Sequence, residues 1–191
     1  MDLAAWLDRL EQLHPSAIDL GLARCGEVAG RLELLDTAAT TITVAGTNGK
    51  GSTVAVMEAL LCASGVRVGA FTSPHLIRYN ERIRVNGAEV SDELIVEAFE
   101  VIEQARSAIS LTYFEFNTLA ALWIFKKLDV TFQLLEVGLG GRLDAVNIID
   151  ADVAVVTAIG LDHQEWLGTD VETIAVEKCG IAREGRTCVV A

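Results

Sequence analysis

The chain has 191 residues, 51% hydrophobic and 22% charged, which suits one large domain or two small ones with a real core and excludes a disordered polymer. Acidic residues outnumber basic ones 27 to 15, a net charge of -12, which argues against coating DNA or RNA, because phosphate backbones need a basic face. No uncharged run reaches the roughly 20 residues of a membrane span, and Asp2, Asp8, Arg9 and Glu11 near the start lead us to expect no signal peptide, no membrane partner and a cytoplasmic location.

In chain order, Asp2–His14 places Leu3, Trp6, Leu7, Leu10 and Leu13 at helical spacing and stops at Pro15. A second helix is expected over much of Ile18–Leu35, although Gly21, Gly26 and Gly30 weaken it. Thr41–Ala45 is a β-branched strand, followed by a glycine-rich turn and a helix over Thr53–Ser64. Val66–Phe71 is the next strand. Arg82–Val85 and Glu89–Val90 flank Asn86-Gly87, a hairpin turn. Ser91 caps a helix running to about Arg106, with Asp92 and Glu93 in its first turn, and another helix spans Glu115–Leu128. Thr131–Val137, Val153–Ile159 and Thr187–Val190 read as strands buried on both faces, with a helix near Val171–Ala182 before the last. Strands alternating with helices predict an α/β fold, a three-layer, mostly parallel sheet with helices on both sides. Cys25, Cys62, Cys179 and Cys188 form no CxxC pair and are expected to be reduced, mostly buried thiols. The sequence stops inside a strand-like run, so it reads as the front part of a longer chain.

The sharpest local signal is Gly46-Thr47-Asn48-Gly49-Lys50-Gly51-Ser52-Thr53, placed between a strand and a helix. Glycines there let successive N–H groups point at one anion, the helix adds its positive end, and Lys50 can neutralise a terminal phosphate. The spacing is not that of a standard Walker A loop. Only two residues separate Gly46 from Gly49, and Gly51 stands where Ser or Thr is usual, so the Mg²⁺-binding hydroxyl must come from Ser52 or Thr53. Four further segments gather polar groups: Thr72–Leu76, Glu136–Asp144, Leu161–His163 and Glu177–Ile181. The first three follow proposed strands, where open parallel sheets bind ligands. Glu136, ending an apolar strand, is costly to bury unless it meets a cation.

These segments together resemble the folylpolyglutamate synthase family of the Mur ligase superfamily, its bifunctional dihydrofolate synthase members in particular. The matching segments run from Ser16–Leu22 to Glu177–Ile181. The resemblance implies an ATP-dependent ligase that phosphorylates the carboxylate of dihydropteroate or a folate and lets the amino group of L-glutamate attack the acyl phosphate. It implies a Mur ligase-type ATPase domain here, residues 1–191, with the rest of that domain and a C-terminal glutamate-binding domain lying outside the sequence, a monomeric parent and a fragment without turnover of its own. It further implies that Thr47, Asn48, Gly49, Lys50, Gly51 and Ser52 hold ATP. Ser52, Ser73, Glu136 and His163 would be Mg²⁺ ligands, and Lys178 the lysine that family members carbamylate. Lys50, Lys178 and His163 are thus the catalytic candidates. Asp19, Leu20, Gly21, Thr112, Tyr113, Phe114, Glu115, Leu143, Asp144 and Ala145 match segments that contact the pterin, where a carboxylate can accept hydrogen bonds from the amino edge and an aromatic ring can stack. A cell-wall amino-acid ligase of the same superfamily and a phosphate-loop nucleotide-binding module without ligase chemistry remain as alternatives.

Overall fold

Consecutive strand residues point to opposite faces of a sheet. Val44 and Ala45, Ala70 and Phe71, and Leu134 and Leu135 are three such pairs, and all six are fully buried, so both faces must be covered. The computed structural model, which describes Met1–Ala191, supplies both covers. The strands are β1 (Thr40–Ala45), β2 (Val68–Phe71), β3 (Ile83–Val85), β4 (Ala88–Glu89), β5 (Phe132–Glu136), β6 (Val153–Val156) and β7 (Thr187–Val190), in the sheet order β4-β3-β2-β5-β1-β6-β7. The pairs β2–β5, β5–β1, β1–β6 and β6–β7 are parallel, and the hairpin β3–β4 runs antiparallel at one edge. Helix α3 (Lys50–Ala63) covers one face, packing its Val54 with Val44, Val68, Ala70 and Leu134 of the sheet. Helices α1 (Leu3–Glu11), α2 (Ala23–Arg31), α4 (Asp92–Arg106) and α5 (Tyr113–Lys127) bury the other in a core of 34 residues. Two short helices, α6 (Gln164–Leu167) and α7 (Val171–Cys179), lie between β6 and β7.

Local chemistry fixes the helix starts. Ser91 accepts from Leu94 N–H, Asp170 from Thr173 N–H, and Thr112 forms a reciprocal capping box with Glu115. The Thr112 cap moves the start of α5 two residues ahead of its expected place.

Three expectations need correction. The second helix is only Ala23–Arg31, because Arg24 holds the preceding segment as a loop: Nη2 donates to Asp19 O at 2.9 Å and Nη1 lies 2.6 Å from the Asp19 carboxylate. Strand β7 is not buried on both faces. It pairs only with β6, and Val189 and Val190 are 50% and 62% exposed. Its apolar composition reports what the strand could bury, not what covers it. Of the four free cysteines, only Cys25 is buried, while Cys179 and Cys188 are exposed. No helix is long and apolar enough to cross a membrane.

Candidate functional site

The glycine-rich turn leaves the C-terminal end of β1, which lies between β5 and β6, and feeds directly into α3. Gly49, with φ of +86°, occupies the helix N-cap in the left-handed region that glycine tolerates best. The turn is stapled to the segment after β6. Thr47 N–H donates to Ala158 O (2.8 Å), Thr47 Oγ1 exchanges hydrogen bonds with the Gly160 backbone (3.1 Å each), and Thr157 Oγ1 donates to Asn48 O (2.8 Å) and Ala45 O (3.2 Å). Gly46 is sterically obligatory: a Cβ there would lie 1.8 Å from Thr157 Oγ1. The choice left open between two hydroxyls narrows. Thr53 Oγ1 donates to Gly49 O at 2.8 Å, within its own helix, whereas the Ser52 side chain is exposed with no protein hydrogen bond.

Two lysines converge on one backbone oxygen. Lys50 Nζ donates to Gly46 O (3.0 Å) and Thr47 O (3.4 Å), and Lys178 Nζ, from α7, donates to the same Gly46 O at 3.1 Å. Lys178 is only 3% exposed, not a surface helix lysine. Burial first, and the Lys50 charge second, hold its pKa below the usual lysine range, against the pull of Asp162.

Glu136 ends β5 beside this turn. It is 5% exposed, and its Oε2 accepts the Ser73 N–H at 3.1 Å. A Cβ on Gly51 would sit 3.6 Å from its Oε1, so the carboxylate faces the start of α3. Burial raises its pKa, opposed by the Ser73 N–H and by the charges of Lys50 and Arg84. Ser73, Lys50 and His163 line one cavity, and Glu136 adjoins it through Ser73. His163 is exposed, has a left-handed backbone (φ +47°) and caps α6, with Nε2 3.6 Å from Asp162 Oδ2. The donors offered are an ionisable carboxylate, two uncommitted hydroxyls and an imidazole. By donor type such a set suits a hard divalent cation that fills its remaining positions with water and phosphate oxygens, but of the four only Ser73 and His163 line the cavity itself.

The same cavity, about 450 Å³, extends away from Lys50 and Ser73 to Asp19, Leu20, Gly21, Thr112, Tyr113, Phe114, Glu115, Leu143, Asp144 and Ala145. All ten residues expected around the pterin therefore line it. Several do structural work as well. Thr112 and Glu115 form the α5 capping box, and Glu115 Oε1 lies 3.2 Å from Arg24. Phe114 packs on Phe71 with ring centroids 5.8 Å apart, while Tyr113 is half-buried in the wall. Asp144 is fully enclosed and accepts N–H groups of Gly138 (3.0 Å), Leu139 (2.8 Å) and Val146 (3.0 Å). Burial still dominates and pushes its carboxyl up to about 7.

Sequence reasoning missed Arg24 and Arg82. Both meet the cavity residues, Arg24 through Asp19 and Glu115 and Arg82 as a lining residue itself. Nothing in the local pattern separates Arg82 from Arg78 or Arg84.

No protein-family model matches the chain. It is 55% identical over 188 residues to the dihydrofolate synthase/folylpolyglutamate synthase of Escherichia coli strain K12, covering 98% of this chain and 44% of that protein. The structure of E. coli FolC in complex with DHPP and ADP superposes with a TM-score of 0.98 at 55% identity, over 100% of this chain and 46% of the other. A bifunctional folylpolyglutamate synthase/dihydrofolate synthase with Mn, AMPPNP and L-glutamate bound gives a TM-score of 0.93 at 54% identity, over 100% and 46%. The chain thus spans about half the length of the curated relatives it matches.

Proposed function

The chain belongs to the dihydrofolate synthase/folylpolyglutamate synthase family, and from that premise we propose that it is the nucleotide- and acid-binding part of an ATP-dependent ligase that joins L-glutamate to dihydropteroate, to folylpolyglutamates, or to both. One observation carries the reading: a single cavity runs from Lys50 and Ser73 at the glycine-rich turn to Tyr113 and Asp144, so a terminal phosphate and an acid substrate can meet inside it. The relatives with ADP, AMPPNP, Mn, DHPP and L-glutamate bound support the same assignment.

In this reading the backbone of Thr47–Gly51 cradles the ATP phosphates and Lys50 exchanges its carbonyl partners for phosphate oxygens. Ser52, Ser73, Glu136 and His163 would hold Mg²⁺, which would supply charge neutralisation for the transferred phosphoryl group. The acid carboxylate attacks the γ-phosphorus, ADP leaves, and the glutamate amine displaces phosphate from the acyl phosphate, losing a proton as the amide forms. The acyl phosphate must be kept from water until the amine attacks. We read Lys178 as the carbamylated lysine: its depressed pKa favours the neutral amine, which would add to CO₂ and release a proton to give an N-carboxylate. The product turns a second cation beside Lys50 into an anion. We place the glutamate contacts in the portion of the relatives that this chain does not span. The chain alone is then expected to bind nucleotide and acid but to turn over slowly.

Calorimetric titration with AMPPNP, followed by phosphate release with ATP, dihydropteroate and L-glutamate, tests this. The expected result is nucleotide binding that needs a divalent cation and weakens at least tenfold in Lys50→Ala, the loss of a charge-assisted contact, with turnover far below that of a full-length relative. Binding indifferent to the cation and to Lys50→Ala overturns the assignment.

A further inference from the structure

We propose that Arg82 is the carboxylate-recognition residue of this cavity, gripping the acid group of the substrate whose heterocycle lies toward Asp144. The inference rests on the acid-binding role given above and adds a residue that neither the family motifs nor the phosphate loop point to.

Arg82 is only 9% exposed and lines the cavity. Its Nε donates to His75 Nδ1 at 2.8 Å, and its backbone carbonyl accepts the Thr72 N–H at 2.9 Å, which anchors the stem. The two terminal amino groups have no hydrogen-bond acceptor in the protein and no carboxylate within ion-pair distance. Every acidic group around the cavity is already engaged: Asp19 and Glu115 by Arg24, Asp144 by three backbone N–H groups, and Glu136 by Ser73. The guanidinium lies 5.5 Å from the Tyr113 ring centroid and 5.9 Å from that of Tyr79. The two rings steady the cation but offer no acceptor in its plane.

A nearly enclosed charge without a counter-ion is costly, and an anion entering the cavity removes that cost. A guanidinium fixed at Nε presents a flat fork that fits a carboxylate with two parallel hydrogen bonds. Arg82 is also one loop away from Ser73, whose N–H marks the Glu136 end of the cavity. A carboxylate on Arg82 would therefore lie between the loop that carries Ser73 and His75 and the Tyr113 ring. Asp144 and the Tyr113–Phe114 wall would take the uncharged heterocycle. The substrate class is a flat, amino-bearing heterocycle with an acid at its far end.

The test is titration of the unsubstituted chain, Arg82→Gln and Arg82→Lys with two ligands: dihydropteroate, and a dihydropterin that has the same ring system but no carboxylate. Arg82→Gln should weaken dihydropteroate binding by about tenfold or more, the usual scale for loss of a charge-assisted bidentate contact. It should leave the carboxylate-free pterin and AMPPNP within about twofold, roughly the scatter for an untouched site. Arg82→Lys, which keeps the charge without the fork, should fall between and guards against a Gln variant that does not fold. Equal losses for both pterins in the two variants, or a loss confined to AMPPNP, overturn the carboxylate role and leave the acid cavity standing. Failure of the unsubstituted chain to bind either pterin overturns the cavity assignment, and the Arg82 role with it.

Discussion

The two ends of the cavity are built by different means. The phosphate end is held almost entirely by backbone: carbonyls and N–H groups of Gly46–Gly49, tied to residues 157–160 through two threonine hydroxyls. The acid end is held by charged side chains, with Arg24 bridging Asp19 and Glu115 and Asp144 collecting three N–H groups from its own loop. A backbone-held turn should fail abruptly under a steric insult and, apart from Glu136 and Lys178 beside it, respond little to pH. A charge-held end should do the reverse.

The largest effect is expected at Gly46. In Gly46→Ala the new Cβ would meet Thr157 Oγ1 at 1.8 Å, a contact no rotamer of the methyl can relieve. Either the turn or the β6 end must move, and the N–H cradle moves with it. We expect AMPPNP binding to vanish at concentrations that saturate the unsubstituted chain, while pterin binding persists. Calorimetry with both ligands checks this, and retention of nucleotide binding would remove the distinction between the two ends.

Asp144 gives the pH arm. Its carboxyl sits at about 7 in the fold against 3.8 for the free side chain, so the folded state holds more protons between those values. Stability from this group is fully present below about pH 4 and is lost as pH climbs to about 7, by an amount on the order of a few kcal/mol if the whole shift is realised. Thermal melts from pH 4 to 8, in the unsubstituted chain and in Asp144→Asn, isolate the contribution as the difference between the two slopes. Asp144→Asn should be the flatter curve. Parallel curves would mean that the three N–H groups outweigh burial and that the aspartate stays ionised throughout.

The contrast also explains what the sequence made legible. A backbone-built turn must be encoded locally, because glycine is needed where φ is positive or where Cβ has no room. Gly46–Thr53 could thus be recognised from eight consecutive residues. Strand positions and the hairpin at Asn86-Gly87 were legible for the same reason, since alternation and turn chemistry are local. Arg82 and Arg24 were not, because their importance lies in partners that are, or are not, within reach in three dimensions. The burial of Lys178 was equally hidden: on α7 it is one polar residue in a short helix, and only the fold brings it 3.1 Å from Gly46 O. Strand β7 misled for the opposite reason, its composition being that of a buried strand while its place is an edge.

The smallest effect, and the sharpest separation of the two ends, is expected at Thr157. Its Oγ1 is one of the two hydroxyl links between the segment after β6 and the phosphate turn, reaching Asn48 O and Ala45 O. Valine keeps the shape and removes only the hydroxyl. Thr157→Val should then cost about 1–2 kcal/mol in urea denaturation, the net worth of a buried hydrogen bond plus a carbonyl left short of a donor. Asn48 O is the exposed partner and recovers water, whereas Ala45 O keeps its backbone bond from Thr157 N–H at 2.8 Å, so the loss should stay at the lower end of that range. The turn would remain folded but less tightly tied, and AMPPNP affinity should drop a few-fold, on the order of the same free energy. Pterin affinity should not change, because Thr157 does not line the cavity and its hydrogen bonds go to Ala45 and Asn48. A matching drop for both ligands would show that the segment after β6 couples the two ends and that they are one mechanical unit.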